Sequence, residues 1–460
     1  MDIAIILAAG EGTRMKSKVS KVLHKVCGKP ILSYIVDAGK AADLEKNIVV
    51  VGHSGEMVKE YFKDEDIIFK SQEIGEDIPY GTGYAVMQTV DEIDDDSTVV
   101  ILYGDTPLIR GDTIKKLIAY HKENEFKGTV LTAVLEDTKG YGRIVRDESG
   151  YISKIVEDKD ADKSEKQIKE INSGIYCFEG RLLKESLEKI TDDNSQGEYY
   201  VTDVVEILKK EGHKLGAYKI EDSVEINGVN SRVQLAYCED VIRARINERH
   251  MENGVTLIDP SSTYIEDGVK IGRDTIIYPG VFLQGDTEVG EDCVLRQGTR
   301  VEDSKIMNSV TIESSLIEKS FVDDETKIGP NAHLRPNCHI GKNIKIGNFV
   351  EVKNAVMKDN SKAGHLSYIG DADIGYNVNI GCGVVFVNYN GRDKFRTLVG
   401  DNAFIGSNSN IVAPVHIEDW AYIAAGSTIT QSVKEGELSI ARAKQVNKEG
   451  WVEKKGFKKS

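Results

Sequence analysis

The sequence predicts two architectures in series: an α/β sheet domain over residues 1–230 and a β-solenoid of hexapeptide repeats over 254–460, joined by a helical linker at 231–253. Three observations predict this. The 460 residues exceed the roughly 250–300 at which single cores stop growing. In the front half, short apolar runs such as Ile3–Leu7, Ile48–Val51 and Val99–Leu102 alternate with amphipathic stretches, the pattern of an α/β sheet. In the rear half aliphatic residues recur every six positions, a beat that neither a strand period of 2 nor a helix period of 3.6 produces.

Composition narrows the function classes. Lys+Arg 59 against Asp+Glu 75 leaves a formal charge of −16, which disfavours nonspecific nucleic-acid binding; no nucleic-acid partner is expected, although a few local cations can still build an anion site. A hydrophobic fraction of 40% and a charged fraction of 29% describe a globular chain. No apolar run approaches the roughly 20 residues of a membrane span, so no membrane insertion and a cytoplasmic location are expected. The six cysteines, Cys27, Cys177, Cys238, Cys293, Cys338 and Cys382, form no C-x-x-C pair and are expected as reduced thiols.

The linker rests on the spacing of Leu235, Val241, Ile242 and Ile246, closed by Gly254. Beyond it, Ile265, Ile271, Ile277, Leu283, Val289, Leu295 and Val301 keep the six-residue beat. After a slip, Leu316, Val322, Ile328, Leu334, Ile340, Ile346 and Val352 resume it, and Val399, Ile405, Ile411, Ile417, Ile423 and Ile429 form a third run. Three hexads per turn would stack one aliphatic side chain of each short strand inward. The repeat positions themselves are core. Between Val352 and Val399 the rhythm weakens, and Lys353, His365, Tyr368, Asn379, Asn388, Tyr389 and Lys394 fall into the gap.

After the first strand comes Leu7-Ala8-Ala9-Gly10-Glu11-Gly12-Thr13-Arg14-Met15, then Lys21-Val22-Leu23. A Gly-rich turn lets backbone N–H groups approach a phosphate, and Arg14 and Lys21 add cations suited to a triphosphate. The third Gly of a dinucleotide fingerprint and the Gly-Lys-Ser/Thr of a P-loop are missing. The string resembles the signature of sugar-1-phosphate nucleotidylyltransferases, and further matches follow in order: Gly81-Thr82-Gly83, Tyr103-Gly104-Asp105, Gly140-Tyr141-Gly142-Arg143, Glu157, Asn172-Ser173-Gly174, Gly197-Glu198-Tyr199-Tyr200 and Gly228-Val229-Asn230. The resemblance implies an α/β Rossmann-like nucleotidyltransferase domain. Asp105, at the end of a strand from Thr98 to Gly104, pairs with Asn230 as a hard oxygen site suited to Mg²⁺, and the resemblance assigns both to the metal. It also implies contacts to UTP and the nucleotide sugar from Leu7, Ala8, Ala9, Gly10, Gly12, Gln72, Gly81, Thr82, Tyr103, Gly104, Gly142, Glu157, Asn172 and Asn230. Uracil would fall to Gln72 and Gly81–Thr82, the sugar to Gly140, Glu157 and Asn172. The attacking sugar phosphate is already an anion, so this chemistry needs no general base; Arg14 and Lys21 would neutralise charge at the α-phosphate.

Over essentially its whole length the chain, with Lys362-Ala-Gly-His365-Leu-Ser-Tyr-Ile-Gly and Asn388-Tyr389 in the solenoid, is similar to the family of bifunctional bacterial enzymes that make UDP-N-acetylglucosamine for the cell wall. The resemblance implies acetylation of glucosamine-1-phosphate by acetyl-CoA, then uridylyl transfer to the product. It further implies a left-handed parallel β-helix, a homotrimer and acetyl sites between subunits. Acetyl transfer to an ammonium needs a base, and His365, with an ordinary pKa near 6.5, is the candidate. Arg335, Lys353 and Lys394 would bind the sugar phosphate, Tyr368 and Asn379 would orient the sugar, and Glu351 would hold the imidazole. Cys382, Asn388, Tyr389, Ser407, Ala425 and Arg442 would meet acetyl-CoA. The basic tail, Lys444, Lys448, Lys454, Lys455, Lys458 and Lys459, is either part of the coenzyme's phosphate environment or a solvated end. Departures from the family pattern are a longer run from Glu73 to Tyr80 with Pro79 for a usual Gln, and Tyr84, Ser20, Cys382 and Asn390 for His, Pro, Ala and Asp. A second reading keeps the nucleotidylyltransferase and leaves the solenoid a purely structural or regulatory part.

Overall fold

The computed structural model describes residues 1–73, 75, 78–194 and 196–457. Ile74, Glu76 and Asp77 of the longer run, and Lys458 and Lys459 of the tail, lie outside the described residues. The chain divides into two units, Met1–Ile242 and Arg243–Ser460. The division falls inside the helix Arg232–Glu252, whereas the expectation set it apart as a linker.

The front unit is built on one mixed sheet. Its strands are β1 (Asp2–Ala8), β2 (Lys46–Val51), β3 (Ile68–Ser71), β4 (Thr98–Tyr103), β5 (Gly128–Val134), β6 (Arg143–Arg146), β7 (Ile152–Val156), β8 (Glu170–Glu179) and β9 (Leu215–Lys219). The spatial order is β9-β5-β8-β4-β1-β2-β3, with the β6–β7 hairpin hung on β8. β1 lies between β2 and β4, parallel to both, and Ile3, Ile5, Ile48, Val99 and Ile101 are fully buried. Near-continuous aliphatic runs suit strands covered on both faces. Only β8 in the main sheet runs against its neighbours β4 and β5, and its ladder to β5 slips between Asn172 and Tyr176. Because β1, β2 and β4 end on the same edge, the Gly10–Gly12 turn and Asp105 meet there, where open α/β sheets take their ligands.

In the rear unit short strands pair in parallel, nearly all with the third strand after them, giving three sheets of 11, 10 and 9 strands. This is a triangular coil. Ile265, Ile277, Leu283, Val289, Leu295 and Val301 are buried as the six-residue beat expects, and Ile271 is half-buried. One position is corrected: Leu316 is half-buried and stacks on Arg300, while Ile317 takes the inner place beside Val301. The coils shorten there, with Ile306, Ile312, Ile317 and Val322 as successive inner residues. The rhythm between Val352 and Val399 does not lapse as expected; Met357, Ala363, Ile369, Ile374, Ile380 and Phe386 carry it inward, all buried. The true interruption is the segment Asn388–Arg396. Asn and Asp, which tolerate left-handed backbone better than other side chains, turn many corners, among them Asn331 (φ 56°), Asn343 (φ 50°), Asn360 (φ 62°) and Asn377 (φ 53°). Buried hydroxyls satisfy corner backbone: Thr275 Oγ1 donates to Gly290 O at 2.8 Å and accepts from Cys293 N at 3.0 Å. No helix among the described residues is long and apolar enough to cross a membrane, and none of the six cysteines forms a disulfide.

Candidate functional site

Two adjoining cavities open at the ligand edge of the front sheet. The smaller, about 230 Å³, is lined by Leu7, Ala8, Ala9, Gly10, Lys21, Gln72, Gly81, Thr82, Tyr103 and Asp105. The larger, about 550 Å³, shares Thr82, Tyr103 and Asp105 with it and adds Gly140, Gly142, Glu157, Asn172 and Asn230. Gly12, Arg14 and Gly104 line neither, and each has another place. A Cβ on Gly12 (φ 64°) would lie 2.7 Å from Lys21 Cβ, so glycine lets the turn close on the lysine stem. Gly104 packs against Ala8, and Arg14 Nη2 donates to Asn230 Oδ1 at 3.0 Å.

Lys21 is the centre of charge. Its Nζ donates to Asp105 Oδ2 at 2.5 Å and to Asn230 Oδ1 at 3.1 Å, with both ionic side chains largely buried. Two oxygens from distant parts of the unit therefore already converge on one cation. Among the described residues no cluster of three or more His, Cys, Asp or Glu side chains could enclose a metal alone. The pair fits a hard divalent ion that takes its remaining ligands from phosphate and water.

The neutral half of the site is equally built. Gln72, at the end of β3, is 6% exposed, and its amide nitrogen has no hydrogen-bond partner among the described residues. A buried donor left unpaired is costly, so the cavity asks for a carbonyl acceptor beside it. Gly81 (φ 124°) sits where a Cβ would be 2.4 Å from Tyr199 O, which pins the Gly81–Thr82 turn to the Tyr199 backbone. In the larger cavity, burial, then the charges of Asp160 and Asp158, push the Glu157 carboxyl above its ordinary range, against the pull of Arg143. Asp203 behind it is raised to about 6 by burial and by Glu206 and Glu157. Arg143 is itself buried and paired with Asp158 at 2.8 Å, closing the β6–β7 wall. Tyr80, Tyr176, Glu198 and Tyr200 also line these cavities and were given no role from sequence. Glu198 and Tyr200 stand in a quoted motif; Tyr80 and Tyr176 carried no such signal.

In the rear unit the strand registers put His365, Cys382, Ser407 and Ala425 at one corner of successive coils, with Arg442 one residue beyond the next matching position. Coils are stacked about 4.8 Å apart, so this is a straight column along the solenoid axis. His365, Ser407, Ala425 and Arg442 are exposed and Cys382 is half-buried. A cationic group gathers around Lys353, which is in register with Gly370 at the far end of the strand Tyr368–Gly370. Arg335, Lys353 and Lys394 come together, and the Lys394 ammonium, burial and Arg335 hold the Lys353 pKa below its ordinary value. Tyr368 starts the strand after the His365 corner, and Asn379 is half-buried on the next coil.

Two of the expected residues already have partners on neighbouring coils. Glu351 accepts from Arg335 Nη1 at 3.1 Å and stands in register with Tyr368. Asn388 is buried, its amide nitrogen bonded to Asp371 and 3.5 Å from the Tyr368 hydroxyl. Burial acts to raise the Asp371 pKa, but Asn354, Asn388 and the two lysines outweigh it and hold the carboxyl below its ordinary range. Tyr389 is exposed, donates to Gly391 O at 2.6 Å and bridges Lys394. The described tail lysines, Lys444, Lys448, Lys454 and Lys455, are exposed.

Comparison with known proteins agrees with this division. Residues 3–241 match the Nucleotidyl transferase family, 316–390 the GMPPB C-terminal domain and 396–431 the Bacterial transferase hexapeptide (six repeats). Proteins called Bifunctional protein GlmU are similar along their whole length. That of Clostridioides difficile is 54% identical over 99% of this chain and 98% of its own. That of Alkaliphilus metalliredigens is 53% identical over 99% of both, and that of Caldanaerobacter subterraneus 53% over 98% of both. The rear unit, with parallel coils bearing the hexapeptide repeat, is a left-handed parallel β-helix.

Proposed function

We propose, because the chain belongs to the GlmU family of bifunctional proteins, that its two units catalyse consecutive steps of UDP-N-acetylglucosamine synthesis. The rear unit acetylates glucosamine-1-phosphate with acetyl-CoA. The front unit then joins the product to the uridylyl group of UTP. Relatives matched end to end under a bifunctional name leave no place for a solenoid that only assembles or regulates.

In the front unit the sugar phosphate oxygen attacks the α-phosphorus of UTP, and the bond to the β-phosphate bridge breaks to release pyrophosphate. Arg14 and Lys21 hold the negative charge that builds on the phosphates. Gln72 and the Gly81–Thr82 turn receive uracil; Gly140, Glu157 and Asn172 receive the sugar. Asp105 and Asn230 would hold Mg²⁺, which when bound supplies further charge neutralisation. The observation that carries the reading is the convergence of Asp105, Asn230 and Arg14 about Lys21 at the mouth of a cavity with an unpaired Gln72 donor.

In the rear unit His365 takes a proton from the sugar ammonium. The amine attacks the thioester carbonyl, the C–S bond breaks and coenzyme A leaves as the thiol. Arg335, Lys353 and Lys394 bind the sugar phosphate, while the column of Cys382, Ser407, Ala425 and Arg442 carries the extended coenzyme. This ridge is solvent-exposed, and we assign its second wall to a neighbouring subunit of a homotrimer. The enzyme acts in the cytoplasm, where its nucleotide and thioester substrates are made.

The full-length protein tests the reading. Lys21→Ala should reduce pyrophosphate release from UTP and N-acetylglucosamine-1-phosphate by about 10²–10³-fold and leave thiol release from acetyl-CoA and glucosamine-1-phosphate intact. His365→Ala should do the opposite. A variant that silences both reactions, or neither, refutes the assignment.

A further inference from the structure

Tyr176 belongs to the reversed strand β8, four residues after Asn172 and just past the slip in the ladder to β5. It is 1% exposed, yet its side chain lines the larger front cavity and its ring stacks on Phe178 at 5.7 Å. A position that served only the core would need no hydroxyl, since burying one is costly unless it finds a partner. The partner here is Asn172, whose Nδ2 donates to the phenol oxygen at 2.8 Å. At the other end of the amide, Oδ1 accepts the Gly174 N–H at 3.0 Å.

Both ends of Asn172 are thereby fixed. Gly174 decides which way round the amide sits, because a flip would set two donors face to face, and Tyr176 stops it from turning about its last bond. One N–H hydrogen and one lone pair remain for the cavity, the complement of a neutral sugar hydroxyl or acetamido group. Burial, then the nearby Tyr103, Glu157 and Asp203, keep the phenol far above its ordinary pKa, so it stays a neutral acceptor at every working pH.

We propose that Tyr176 is a positioning residue for the sugar phosphate: it holds the Asn172 amide in the orientation that reads the sugar and does not touch the reacting atoms. The inference rests on the reading that Asn172 contacts the sugar. A buried neutral hydrogen bond is worth about a fivefold change in binding, and phenylalanine preserves the ring packing.

Tyr176→Phe in the full-length enzyme should raise KM for N-acetylglucosamine-1-phosphate about fivefold. KM for UTP, kcat and acetyl transfer should stay within about twofold. Asn172→Ala should raise the same KM at least as much, and the double variant should add nothing to it. An unchanged sugar KM in Tyr176→Phe beside a raised one in Asn172→Ala overturns the proposal alone. A parallel rise in the UTP KM also overturns it, as general loosening. If Asn172→Ala leaves the sugar KM unmoved, the sugar-site reading falls and the proposal falls with it.

Discussion

Asp203 offers the sharpest thermodynamic test of the front unit. Its carboxyl sits in the first turn of the helix Thr202–Lys210 and is raised from 3.8 to about 6 by burial and by the charges of Glu206 and Glu157, against a weaker pull from Lys210. A carboxyl whose folded pKa lies above its unfolded value keeps its proton longer in the native state. The native state therefore binds more protons between about pH 4 and 6, and stability falls as pH rises through that window. At about 1.36 kcal/mol per unit the ceiling is about 3 kcal/mol. Solvent reaching the half-buried group lowers this to about 1–2 kcal/mol, and the helix N-terminus returns about 0.5 kcal/mol to the ionised form. Asp203→Asn removes the titration. At pH 8 it should stabilise the front unit by about 1 kcal/mol, a rise of about 2–4 °C in Tm, and at pH 4 the difference should vanish. Calorimetry of wild type and variant from pH 4 to 8 reads the effect. A variant that is less stable at pH 8, or a Tm difference that does not change with pH, would refute the reasoning.

Gln72→Ala removes a buried donor that lacks a protein partner; UTP KM should rise about tenfold while Tm holds or increases, as steady-state kinetics and thermal melts will show. Gly81→Ala places a methyl 2.4 Å from Tyr199 O on backbone at φ 124°, so we expect a loss of about 2–4 kcal/mol in stability with uridylyl transfer impaired and thiol release intact. Lys353 is held below its ordinary pKa chiefly by Lys394, and a bound phosphate restores it. Inhibition by N-acetylglucosamine-1-phosphate, which carries no amine, should weaken with rising pH at the acetyl site, and Lys394→Met should move that limb to higher pH; an unmoved limb contradicts the coupling.

How much of this was legible in the sequence depends on whether one residue or an arrangement carries the signal. A six-residue period makes register a matter of counting, and from Ile277 to Val301 the count holds; Cys382, Ser407 and Ala425 were named by motif alone, and it is the strand register that puts them at one corner. The same counting failed at Leu316, where two adjacent aliphatics compete and five-residue steps shift the phase so that Ile317 wins the interior. It failed again after Val352, since Met357, Ala363 and Phe386 occupy inner places without being the expected branched aliphatics. Arg14 and Lys21 stood out in the sequence as cations beside a Gly-rich turn, but their partners did not; Lys21 reaches across 84 positions to Asp105 and 209 to Asn230.

Partner choice was the least legible property because it is decided by competition among neighbours. Glu351 could be matched to His365 by proximity in sequence, yet the partner it has is Arg335, one coil away in the sheet, through a charge-assisted bond. Asn388 could be matched to a coenzyme, yet Asp371, held at φ 48°, draws its amide inward. Tyr176 and Asn172 meet because the slip in β8 changes the register between them and strand β5. In all three cases the deciding group sits on a neighbouring coil or across a local irregularity, so its effect depends on backbone geometry that residue types and spacing do not encode. The positions carried over by motif named which side chains are available for the chemistry. The geometry decides which of them are free to meet a ligand and which are already committed to holding another residue in place.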